Sequence, residues 1–189
     1  HISYGYVGKR NGVQNTEIWR ADGEYGFRGT FDGNGLSMTA AWNGSGIFGV
    51  LGRGAVVKNV TLVHTNYVAT QMILGYTMIG ATLNNVKVTV SGSGPSGIPN
   101  NAVGGLLTAM ASYDSTLTGV VINSQNTALD TLFGNGKYYT YPQKYNKNEF
   151  DGCVVNAKSL VALSCEGGDA AKAWIYNDAV KGLTVNTAK

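Results

Sequence analysis

Apolar and polar positions along the chain fall into a short pattern that occurs five times: apolar, any residue, Asn or Gly, apolar, any residue, apolar. The copies are Val57-Lys58-Asn59-Val60-Thr61-Leu62, Leu83-Asn84-Asn85-Val86-Lys87-Val88, Leu117-Thr118-Gly119-Val120-Val121-Ile122, Phe150-Asp151-Gly152-Cys153-Val154-Val155 and Val180-Lys181-Gly182-Leu183-Thr184-Val185. Counted on the Asn or Gly, the spacings are 26 (59 to 85), 34 (85 to 119), 33 (119 to 152) and 30 (152 to 182). An uneven period of about 20–50 residues marks a solenoid, a propeller or an array of small units. The alternation at the end of each copy predicts a half-buried strand, with Val60 and Leu62 inward and Thr61 outward, and Val86 and Val88 inward around Lys87. The Asn or Gly marks a bend. Glycine supplies backbone freedom there, and asparagine tolerates left-handed geometry and bonds along a stack.

A second apolar segment accompanies the hexads: Ile47-Phe48-Gly49, Ile73-Leu74-Gly75, Gly105-Leu106-Leu107 and Leu132-Phe133-Gly134. Two or three short strands per repeat, broken by Gly or Asn, suit the coil of a single-stranded parallel β-helix, an all-β solenoid with about six coils here. Upstream, Phe27-Arg28-Gly29-Thr30-Phe31-Asp32-Gly33-Asn34-Gly35 carries a turn, and Gly35-Leu36-Ser37-Met38 resembles a truncated first hexad. Residues 1–26 are expected to be an N-terminal cap or the tail of a preceding domain, and 27–189 the β-helix domain. Two stretches interrupt the rhythm: the turn-rich 91–101, and 134–149 (GNGKYYTYPQKYNKNE), an insertion expected to project from the wall. The run Asp169-Ala170-Ala171-Lys172-Ala173-Trp174 has helix propensity and predicts a short helical turn or loop before the last strand.

Composition narrows the partners. With 27 Gly and 13% charged residues the chain is poorly suited to a helical bundle, and its 43% hydrophobic content is too high for a disordered chain. A formal charge of +3, from scattered Lys and Arg, calls for neither nucleic acid nor a membrane surface. No run reaches the roughly 18 consecutive apolar residues of a membrane helix, so no membrane insertion is expected. A chain opening His1-Ile2-Ser3 suggests a piece of something longer. Cys153 occupies the slot of Val60, Val86, Val120 and Leu183, which favours a buried free thiol over a disulfide to Cys165.

The Phe27–Gly35 segment resembles the opening motif of β-helical segments in bacterial surface proteins. Gly46-Ile47-Phe48-Gly49-Val50-Leu51-Gly52 and Val103-Gly104-Gly105-Leu106-Leu107 are similar to the glycine-rich GLUG-type repeats that follow it. Such repeats occur in adhesins, gut-bacterial exoproteins and the N-terminal regions of immunoglobulin-A-cleaving metallopeptidases. The resemblance covers residues from Phe27 to Asn123 and implies a right-handed parallel β-helix, secreted and displayed on a cell surface. It carries over no catalytic residue, and the peptidase motif His-Glu-x-x-His is absent from the chain.

Candidate chemistry is sparse. His1 and His64 have no partner at metal-ligand or nucleophile spacing, and His64 is expected on the outside of a coil. Asp32-Gly33-Asn34-Gly35 begins like a calcium loop, but Leu36 stands at the third ligand position, so it is expected to be a turn. Gly49-Val50-Leu51-Gly52-Arg53-Gly54 lacks the Lys-Ser/Thr of a phosphate loop. The acids Asp114, Asp130, Glu149, Asp151, Glu166 and Asp169 are spread thinly, with Glu149 and Asp151 at strand spacing for one shared face. The best ligand-binding candidates lie in the insertion: Lys137, Tyr138, Tyr139, Tyr141, Lys144, Tyr145 and Lys147. Exposed tyrosines stack on sugar rings or anchor a protein partner, and the lysines favour an anionic ligand.

The expectation is therefore a non-catalytic module, without metal or cofactor, of a larger extracellular protein at the bacterial cell surface. It would bind a glycan or a host or extracellular protein. A carbohydrate-active enzyme (polysaccharide lyase or glycosidase) on the same fold is the first alternative, and a pure spacer the second.

Overall fold

The computed structural model describes residues 26–40, 47–48, 50–65, 74–91, 106–125, 130–133, 148–157, 160–165, 173–175 and 180–187. Among them the chain is all-β, and its strands are mostly parallel. None of the described residues forms a helix long and apolar enough to cross a membrane.

The longest sheet has nine strands: β1 (Thr30–Asp32), β2 (Ser37–Ala40), β4 (Val56–His64), β6 (Thr82–Val90), β8 (Thr116–Thr118), β9 (Val121–Ser124), β11 (Glu149–Asp151), β12 (Cys153–Ala157) and β15 (Leu183–Thr187). Its order, β1-β4-β6-β9-β12-β15, follows the chain, so each rung pairs with the rung one repeat away. A second, parallel sheet joins β3 (Val50–Leu51), β5 (Gly75–Ile79) and β7 (Thr108–Tyr113). The third contains β10 (Asp130–Thr131), β13 (Leu160–Cys165) and β14 (Ala173–Ile175), with β14 antiparallel to β13.

The hexads stack in register. Val60 lies opposite Val86, Lys87 opposite Val121, Val121 opposite Val154, and Cys153 opposite Leu183. Val60, Val86, Val120, Cys153 and Leu183 thus form one buried column. Simple alternation would place Val57 and Val60 on opposite faces, yet both are buried while Lys58 and Asn59 are not. The cause is Asn59, whose φ of 52° inserts a left-handed residue and resets the phase. Asn85 (φ 52°), Gly119 (59°), Gly152 (61°) and Gly182 (79°) do the same in the other rungs, so the bends coincide and the ladder survives them.

The second apolar segments also stack: the amide of Phe48 donates to the Leu74 carbonyl (2.6 Å), Leu74 to Leu107 (3.0 Å) and Leu107 to Leu132 (3.0 Å). Their side chains and the inner face of the long sheet form one apolar cluster. Phe48 packs at its N-terminal side, 5.1 Å from the Phe27 ring and 5.6 Å from that of Phe31.

Three expectations are corrected. His64 is not on the outside: two residues beyond Leu62 it shares the inward phase, is 2% exposed and lies opposite Val90. Ala173–Ile175 is a strand, because pairing along β13 outweighs the weak helix preference of an Ala-rich run. Leu36 does not fill the inward slot of its hexad and is 68% exposed. Gly33 lies over Val60 instead, so close that a Cβ there would collide with the Val60 side chain and the Asn59 carbonyl. The two extra residues are taken up by a type I′ turn, with Asn34 (φ 52°) and Gly35 (φ 76°) at its centre and Leu36 N donating to Gly33 O at 2.9 Å.

Candidate functional site

Lys137, Tyr138, Tyr139, Tyr141, Lys144, Tyr145 and Lys147 lie outside the described residues, as do His1, Glu166 and Asp169. The framework at both ends of that insertion is tied to the sheets. On one side Phe133 is buried and bridges to Thr108. On the other, Asn148 Nδ2 donates to the Ser112 carbonyl (2.9 Å), while its Oδ1 accepts from Ser112 Oγ (2.9 Å) and the Ser115 amide (3.2 Å). Ser115 is itself buried, and its Oγ accepts from the Ala81 amide (3.2 Å). Asn148 therefore spends both ends of its amide on fixing the point where the chain re-enters the sheet at β11.

Glu149 and Asp151 flank the buried Phe150 and both face outward, as their spacing predicts. They stand opposite Thr116 and Thr118 on an open surface. Asp114 is engaged elsewhere, in an ion pair with Arg53 at 3.3 Å. Among the described residues no group of three His, Cys, Asp or Glu is placed to hold a metal ion. Cys153 is a buried free thiol whose Sγ lies 3.1 Å from the Leu117 carbonyl, and burial pushes its pKa up. That combination describes a packing residue rather than a nucleophile.

The outer surface of the long sheet carries two amide ladders. At the bend, Asn85 Nδ2 donates to Asn59 Oδ1 (3.0 Å) and Asn59 Nδ2 to Asp32 Oδ1 (3.2 Å), as the bend asparagines predict. The second ladder is not among the sequence expectations: Asn186 Nδ2 donates to Asn156 Oδ1 (2.8 Å), and Asn156 Nδ2 to Asn123 Oδ1 (2.8 Å). Its signal was present, because each of these asparagines directly follows a hexad.

Comparison of the chain with protein-family models, curated proteins and solved structures finds no match in any of the three.

Asp32 terminates the first ladder. The Asn34 amide (2.9 Å), the Asn59 side chain and Lys58 (3.2 Å) all favour its ionised form, and they hold its pKa below the usual carboxylate value. A depressed folded-state pKa contributes stability above the unfolded pKa and loses it as pH falls through the folded one. Asp32→Asn is therefore expected to lower the urea midpoint at about pH 6, with the difference from the parent shrinking below about pH 4. Solvent exposure keeps the effect small. An equal difference at both pH values would show that the charge is not its source.

Proposed function

We propose that the chain is a right-handed parallel β-helix of about six coils, serving as a non-catalytic, ligand-presenting module of a protein displayed on a bacterial cell surface. The in-register parallel ladder supports the coil. Right-handedness follows from the strong preference of parallel crossover connections for that hand. A solenoid suits display because its length grows with repeat number and its lateral face stays open.

The observation that carries the ligand-presenting reading is the anchored base of the insertion. The 14 residues 134–147, with their four tyrosines and three lysines, leave at the buried Phe133 and return at the triply bonded Asn148. Fixing both ends lowers the ordering cost of binding, which is where preorganised sites gain affinity. The ligand class is a glycan or an extracellular protein with acidic groups.

A glycan array and a pulldown from host extracellular proteins, run on the parent and on the Tyr138→Ala/Tyr139→Ala/Tyr141→Ala triple variant, test this reading. The expected result is binding by the parent and at least a roughly tenfold loss in the variant. Binding that survives all three changes places the site elsewhere, and an absence of any ligand favours the spacer. Glycan depolymerisation abolished by Glu149→Gln or Asp151→Asn would replace the adhesive reading with an enzymatic one.

A further inference from the structure

We propose that the two ends of the long sheet are complementary, so that copies of this chain stack head to tail, the last rung of one on the first rung of the next. This goes beyond ligand presentation and rests on the register of the sheet rather than on the insertion. In the inward column that begins at Met38 and ends at Val185, the four residues between (Leu62, Val88, Ile122 and Val155) are buried, whereas the two end members are only partly so.

Each rung meets the next in one register, with Ser37 opposite Thr61 at the start of the sheet and Val154 opposite Thr184 at its end. One further step of that register, taken between copies, sets Val185 opposite Met38 and Asn186 opposite Thr39. The apolar ends then cover each other. Asn186 Oδ1, which has no partner among the described residues, receives the Thr39 hydroxyl and extends the amide ladder. Charge agrees as well. Lys181 precedes the bend in the last rung as Asp32 does in the first, and the 3.2 Å Asp32–Lys58 pair shows that this position on neighbouring rungs supports an ion pair. A second copy of this chain is the occupant that meets all of these terms. An exposed parallel edge is a ready template for such pairing, and a head-to-tail contact that does not close on itself grows into an open chain.

Sedimentation velocity on the full chain, over roughly a hundredfold range of concentration, tests the proposal. The expected result is a mean mass that climbs with concentration past the dimer. Val185→Lys and Met38→Lys should each stop growth while leaving the far-ultraviolet circular dichroism intact. Mixed in equal amounts, they should form a dimer and nothing larger, since each keeps one good end. Lys181→Glu, at an exposed position, should weaken association about fivefold at low salt and much less at high salt. A monomer at every concentration overturns the proposal. So does a parent dimer that never grows, or association indifferent to all three substitutions.

Discussion

Replacing Phe48 by alanine is expected to destabilise the fold by about 3–5 kcal/mol, a large share of the roughly 5–15 kcal/mol that holds a domain together. Phe48 is 1% exposed, its amide is tied to the next repeat through Leu74, and its ring meets both Phe27 and Phe31. Alanine would remove the transfer energy of the ring, leave a cavity that stacked strands cannot close, and discard two aromatic contacts. Phe48→Leu keeps most of the volume and should cost less than half as much. In a sheet whose rungs touch only their neighbours, damage is greatest near its origin. Amide exchange should therefore accelerate in β1 and β4 before it does in β12. An unfolding free energy from urea titration for Phe48→Ala within about 1 kcal/mol of the parent would show that the ring is not enclosed as described.

The pattern of the hexads held most of the architecture, because the same six positions meet the same six in the next rung. Register then follows from the sequence itself, and the left-handed asparagines were legible for the same reason: Asn59 and Asn85 stand where other copies have glycine. Where the structure departs from expectation, position in the repeat outweighs residue type. The polarity of His64 suggests the surface, but it continues the alternation of Val60 and Leu62, and in the structure it shares its column with Val90, Ser124 and Ala157. Local propensity at Ala173–Ile175 points to a helical turn, and a partner strand outside that window decides otherwise. Gly33 could not be anticipated, since nothing local states that a turn will lie across Val60. The insertion tyrosines and lysines fall outside any repeat, so no neighbouring rung dictates their placement, whereas Asn148 beside them is dictated by Ser112 and Ser115.

The bend column yields the second large expected effect, and its sign varies from rung to rung. Asn85→Val should cost about 2–4 kcal/mol. A β-branched residue held at φ 52° carries about 1–3 kcal/mol of backbone strain, and the lost bond to Asn59 adds about 0.5–1.5 kcal/mol. Asn85→Gly relieves the strain and should cost about 1 kcal/mol. At Gly119, one rung on, φ is 59° and an added Cβ would meet nothing nearer than the Asn85 amide nitrogen at 4.0 Å. Gly119→Asn therefore has room and a conformation asparagine accepts. It also gains an acceptor in Asn85 Oδ1, so it should raise stability by about 0.5–1 kcal/mol. At Gly182 the same change fails, because a Cβ there would collide with the Phe150 carbonyl. Urea unfolding of Asn85→Val, Gly119→Asn and Gly182→Asn reads the whole set. If Gly119→Asn destabilises as much as Gly182→Asn, the bends are not stacked as the ladder requires, and the left-handed column loses its role in setting the register of the long sheet.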